Sequence, residues 1–107
     1  MTSGTGMAYK RVISDEAKRE YTAIVEYLAT ILKSPQAAAG FMDAFDKQLS
    51  LISANPSMFA LSRMPELAAR GYRVAPVNNY VMLYKATDEL IYIAHVFHQS
   101  QDYARLV

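Results

Sequence analysis

His95 and His98 are the only imidazoles in the chain, and His98 opens a polar run, His98-Gln99-Ser100-Gln101-Asp102, that leads to Tyr103. An imidazole at the end of an apolar stretch could move a proton or contact RNA, and a phenol in an exposed tail could reach a ligand. Spaced three apart on a strand, the two histidines point to opposite faces and cannot grip one metal together. His95 lies among Ile91, Ile93 and Phe97 and reads as a half-buried histidine with a satisfied ring; His98 reads either as a proton-transfer group or as an ordinary surface side chain. Arg63, Arg70, Arg73 and Lys85 face a single acid, Glu66, over their stretch of chain. Such a patch could hold phosphates, or could be a loop and hairpin whose exposed positions are basic.

Other chemistries find no residues to carry them. There is no cysteine, which excludes a thiolate metal site and a thiol nucleophile. The sequence contains no glycine-rich phosphate loop, no H-E-x-x-H and no G-x-S-x-G. Asp43 and Asp46 fall one helical turn apart and read as a solvated helix face. No metal and no small-molecule cofactor is expected. Most of the eight tyrosines sit in periodic apolar segments, where packing explains them.

The elements that must position these groups follow from periodicity. Residues 8–13 place Tyr9, Arg11 and Ile13 on one face of a short strand. Ser14-Asp15-Glu16 offers a capping hydroxyl and two acids to the positive end of a helix. Ala17, Tyr21, Ile24, Leu28 and Ile31 then recur every three or four residues, the stripe of a helix of about 18 residues. Ser34-Pro35 starts a second helix, with Ala38, Phe41, Phe45, Leu49 and Ile52 on its stripe, and Asn55-Pro56 stops it. So short a break predicts an antiparallel helical hairpin.

The C-terminal third supplies what the helices need to cover. Residues 71–77, 80–86 and 90–98 are rich in Val, Ile, Leu and Tyr and are separated by the short polar turns Asn78-Asn79 and Thr87-Asp88-Glu89. They predict a three-stranded antiparallel meander. In its last strand, strict alternation puts Leu90, Tyr92, Ala94, Val96 and His98 on one face and Ile91, Ile93, His95 and Phe97 on the other. Between hairpin and meander, residues 57–70 read as a loop in which Met64-Pro65-Glu66-Leu67 could open a short helix. The predicted fold is α+β: strand, helical hairpin, then a meander that pairs with the first strand. Its expected core is Ile13, Ile24, Leu28, Phe41, Phe45, Leu49, Leu83, Ile93 and Val96.

The 107 residues fit one domain, and 52% hydrophobic residues are enough to fill its core. Residues 1–6 read as a flexible leader or an expression remnant, with the domain at 7–107 and Met7 as a natural start. No apolar run reaches the ~20 residues that span a bilayer, and no signal peptide opens the chain, so the expected location is the cytoplasm. A formal charge of +1 announces no nucleic-acid partner through bulk electrostatics.

The wording of the segments is more specific. The helix start "SDEAKRE", the "NP" after the second helix, the hairpin "GYRVAPVNNYVMLYK" and the ending "VFHQSQDY" occur in an order and spacing that resemble the RelE/ParE superfamily of type II toxin–antitoxin toxins. The resemblance covers nearly all of the chain from Met7. It implies a cognate antitoxin and one of two activities: RelE-like cleavage of mRNA on the ribosome, or ParE-like arrest by binding a target such as DNA gyrase. A decayed toxin that retains only antitoxin binding is a third reading. For the ribonuclease, the resemblance implies Arg70 and Arg73 on phosphates, Lys85 and Gln101 as further RNA or target contacts, Tyr84 and Tyr103 near the scissile nucleotide, and His98 as the proton carrier. Gln101 and Val81 stand where RelE-like enzymes keep arginines, and neither can supply charge to a phosphorane transition state. That tilts the expectation toward the ParE-like activity.

Overall fold

The computed structural model describes residues 9–101; the expected leader lies outside them. Strand β1, Lys10–Ile13, leads directly into α1, Asp15–Glu26. Ser14 makes that junction: its Oγ accepts from the N–H of Ala17 at 2.9 Å and donates to the carbonyl of Ala94 at 2.7 Å. One hydroxyl thus caps the helix and ties it to the sheet. The helix continues through a π-helical turn, Tyr27–Ile31, closed by Leu32 N–H on the carbonyl of Tyr27. The helical rod therefore has the expected length, but its stripe does not end as expected. The i→i+5 turn inserts an extra residue and rotates Ile31 out of the stripe, leaving it 67% exposed while Leu28 stays buried.

Helix α2, Pro35–Ala54, begins with Ser34 capping Ala37 and Pro35 in the first turn, and ends at Asn55 before Pro56. Ala38, Phe41, Phe45, Leu49 and Ile52 are all buried along its predicted stripe. The ring of Tyr21 packs on Phe41 at 5.3 Å and edge-on to Phe45 at 4.9 Å, which joins the two helices. A short helix α3, Pro65–Ala69, follows, and Gly71 takes up the left-handed φ of +84° just after it. Because that turn uses Gly71 and Tyr72, the next strand starts two residues later than predicted.

The sheet comprises β1, β2 (Arg73–Val77), β3 (Tyr80–Ala86) and β4 (Leu90–His98), in the order β1-β4-β3-β2. The meander is antiparallel, and β1 joins it parallel to β4, with Ile13 opposite Ile93. Asn78, at φ +55°, closes the β2–β3 turn.

Strict alternation fails in β4. Leu83 pairs with His95 but Tyr84 pairs with Ile93, so Ala94 is an extra residue and the faces exchange there. Ile91 and Ile93 accordingly lie with Val96 in the main core under the helices, whereas Ala94 and Phe97 belong to a second cluster on the opposite face. The expected core residues Leu28, Phe41, Phe45, Leu49, Ile93 and Val96 are buried in the main core, with Ile13 and Ile24 packed half-buried against it. Leu83 is fully buried in the second cluster, with Leu67, Tyr72 and Val81.

Both long flanks of the meander are closed. On β2, Pro76 has no N–H to offer, its carbonyl accepts from Gln48 Nε2 at 2.6 Å, and Leu61 bridges Arg73. On β4, β1 covers only Leu90 to Ile93. Beyond it the Ser14 N–H donates to Ile93, the Ser14 hydroxyl to Ala94, and the Glu20 carboxylate accepts from the N–H of Val96 at 2.9 Å.

Candidate functional site

The predicted site residues fall into separate places. Arg73 and Tyr84 are cross-strand partners on the helix-facing side of the sheet. The Tyr84 side chain is fully buried and its hydroxyl donates to the carbonyl of Pro56 at 2.9 Å. Burial pushes this phenol above the usual range, while a backbone hydrogen bond at Phe59 and the nearby Arg73 charge pull it back in part. Arg73 Nη1 donates to the carbonyl of Phe59 at 2.7 Å. Together the two side chains fasten the loop after α2 to the sheet. The expected place for Tyr84 was beside a scissile nucleotide; it is instead a core residue, because the residue that alternation points inward on β3 sits under that loop.

Arg70 and Lys85 lie on the other face. The guanidinium of Arg70 stands 5.4 Å and the ammonium of Lys85 4.4 Å from the ring centre of Tyr72, which is buried. The basic stretch is thus divided between two faces of the sheet. Toward the far end of the same outer face lies Val81, at a position where RelE-like enzymes were expected to keep an arginine, and it is buried among Leu67, Leu83, Ala94 and Phe97.

His98 sits at the opposite end of the sheet. It pairs with Tyr80, four residues along β3 from Tyr84, or about 13 Å of strand. Its Nδ1 lies 2.7 Å from Ser100 Oγ and accepts from the Ser100 N–H at 3.1 Å. A backbone N–H can only donate, so Nδ1 presents its lone pair and the proton of the neutral ring is on Nε2. Gln101 folds back on His98, its Oε1 accepting from the His98 N–H at 2.7 Å. Tyr103 lies outside the described residues.

Sequence reasoning missed Tyr80 as a neighbour of His98. Its ring meets the imidazole edge-on at 5.2 Å and Phe41 at 5.1 Å. The phenol is pushed upward by burial and by the nearby Tyr27 phenol. The Asn78-Asn79 turn was the available signal, since a two-residue turn makes Tyr80 the first residue of β3.

His95 has the satisfied environment expected of it. It is buried, stacks on Phe97 at 5.0 Å, and its Nδ1 lies 3.0 Å from Glu20 Oε2. Among the described residues, no group of three His, Asp or Glu side chains is placed to hold a metal ion, and no helix is long and apolar enough to cross a membrane.

A parallel edge strand, a helical hairpin on one face and a meander whose outer face carries a small apolar cluster make up the architecture of this chain. The fold is similar to that in the chromosomal ParDE system of P. aeruginosa, with a TM-score of 0.65 at 15% identity over 87% of this chain and 97% of that one. It is also similar to the E. coli DinJ-YafQ toxin–antitoxin complex, with a TM-score of 0.59 at 17% identity over 94% and 98% of the two chains. YafQ crystallised from E. coli gives 0.54 at 18% identity over 86% and 94%. No curated protein matches the chain by sequence. The family model for the ParE toxin of type II toxin–antitoxin systems, parDE, matches residues 12–103, and the chain belongs to that family.

Proposed function

We propose that this toxin arrests growth in the ParE manner, by binding a protein target such as DNA gyrase in the cytoplasm, and that it cleaves no RNA. The observation that carries the reading is the outer face of the sheet. Val81, Leu83, Ala94 and Phe97 form a buried apolar cluster there under Leu67. Stabilising a pentacovalent phosphate needs preorganised charge at the reacting atoms. Here Arg73 is engaged with Phe59, Arg70 and Lys85 flank Tyr72, and His98 lies at the other end of the sheet.

The cognate antitoxin has two adjoining surfaces to use. Among the described residues β1 has no strand on its outer side, and its alternate amides point outward there. Beside it, Ile13, Tyr21, Phe45 and Leu49 line a groove of about 260 Å³ between α1 and α2, with Lys18 and Asp46 at its polar positions. An antitoxin that adds a strand to β1 and lays an amphipathic helix in this groove would use both. The test is co-expression with the adjacent small reading frame, followed by a gyrase supercoiling assay. A stable complex and an inhibition of supercoiling that the antitoxin relieves are expected; two freely separable proteins, or gyrase insensitive to excess toxin, would contradict the reading.

A further inference from the structure

Arg73 stands apart from the other arginines of the described residues: Arg11, Arg19, Arg63 and Arg70 are exposed, and Arg73 is half-buried. Of the five N–H donors on its guanidinium, one is placed, on the carbonyl of Phe59. Among the described residues no carboxylate lies within ion-pair distance of it. The Tyr84 phenol, near enough to feel the Arg73 charge, stays protonated at neutral pH and supplies no counter-charge. A guanidinium withdrawn from water in this way carries a desolvation cost. A carboxylate or a phosphate held by paired hydrogen bonds offsets it.

Arg73 also lines a cavity of about 420 Å³, together with Tyr9, Pro56, Ser57, Thr87 and Asp88. The cavity sits at one end of the sheet: Tyr9 precedes β1, Arg73 opens β2, and Thr87-Asp88 turns from β3 into β4. Arg73 and Asp88 are the two charged residues of its lining. A singly charged carboxylate is matched by the guanidinium alone. A nucleic-acid backbone would bring further negative charge past Asp88, with no second cation in the lining to neutralise it. The chemistry favours a carboxylate carried on a protein segment.

The open edge of β1 gives such a segment its route. Lys10 N–H bonds the carbonyl of Glu89 and Ser14 N–H that of Ile93, so the amides of Arg11 and Ile13 face the uncovered side. A strand added there and continued past Lys10 meets the cavity at Tyr9. It would lie four strand spacings from β2, about 19 Å, which some six extended residues cross. We propose that the antitoxin carries, about six residues beyond the strand it adds to β1, an aspartate or glutamate whose carboxylate enters this cavity and pairs with Arg73. The proposal rests on the antitoxin placement above and adds to it a charged contact at a stated distance from the strand.

Calorimetric titration with the antitoxin from the adjacent reading frame is run on wild type, Arg73→Gln and Asp88→Asn. It is repeated with antitoxins in which each Asp and Glu is changed in turn to its amide. Expected is a loss of roughly tenfold or more in affinity for Arg73→Gln, a similar loss for one acidic position, and little further loss when the two are combined. Asp88→Asn should tighten the complex a few-fold by removing a like charge, and that gain should vanish with the amidated antitoxin. Losses that simply add at every acidic position would overturn the proposal, as would a folded Arg73→Gln toxin that binds as tightly as wild type. If Arg73→Gln fails to fold, Asp88→Asn, on an exposed turn, decides: an unchanged affinity contradicts the proposal. A short single-stranded RNA that binds wild type and not Arg73→Gln would make phosphate the ligand and overturn it too. Failure of the antitoxin placement itself shows separately, as Arg11 and Ile13 amides that exchange as fast in the complex as in the free toxin.

Discussion

The Glu20 carboxylate on α1 accepts from His95 Nδ1 at 3.0 Å through one oxygen and from the backbone N–H of Val96 at 2.9 Å through the other. Those two residues follow the extra residue in β4, at the point where β1 no longer covers the strand. A side chain on the helix therefore does for Val96 what a neighbouring strand does for Ile91 and Ile93. Glu20→Ala should cost about 1–3 kcal/mol, since it strands a partly buried donor on each side, and urea denaturation measures it. Glu20→Gln should recover part of the loss, because its amide oxygen can still accept from Val96. A silent Glu20→Ala would mean that the β4 edge is closed by something else.

The aromatic cluster between the helices sets a larger effect. Phe45 is 4% exposed and touches both Tyr21 and Phe41. Phe45→Ala should destabilise by roughly 3–5 kcal/mol. A loss below about 1 kcal/mol would contradict the packing of α2 on α1.

Alkaline pH probes the buried phenols. Tyr84 and Tyr80 are raised first by burial, and Tyr21 by burial and then by Asp46 and Asp43. Those two acids lie close enough to a phenol to act on it, a role that helical spacing alone did not reveal. For a group raised in the folded state, the unfolded chain loses its proton first, so stability is complete below about pH 10 and falls as pH climbs through the folded value. Thermal unfolding between pH 9 and 11 should show this decline, and Tyr84→Phe should make it shallower. An identical decline in that variant would mean that the Tyr84 hydroxyl is not shielded in the folded protein.

Much of this fold was legible in the residues. Ser14, Ser34-Pro35 and Asn55-Pro56 mark helix ends by chemistry that acts within a few residues, and β3 and β4 have their predicted bounds. Ile31 and the faces of β4 were not legible, for a shared reason. A π-helical turn and a β-bulge each insert one residue into a period, and which residue is inserted depends on packing from distant segments. The separation of the candidate site residues was hidden for a different reason. Arg73 and Lys85 are near neighbours in the β2–β3 region, yet alternation on two strands sends them to opposite faces of the sheet, and Arg70, just after α3, joins Lys85 beside Tyr72. Tyr84, grouped with them as a phenol, is buried because Pro56 and Phe59 close over it.

His98 separates the catalytic from the non-catalytic account. Its Nδ1 accepts from Ser100, leaving Nε2–H as a donor that a glutamine side chain can replace. His98→Gln should keep growth arrest within a few-fold of wild type. General acid–base catalysis by this ring would instead lose ~10²–10⁴ in rate and relieve the arrest.

The central claim, arrest through a protein target without RNA cleavage, is tested most directly by primer extension on ribosome-bound messages from cells arrested by the wild-type toxin. The account predicts the same 5′ ends as in uninduced cells. New ends at regular codon positions, absent when His98→Gln is induced to the same level, would contradict it.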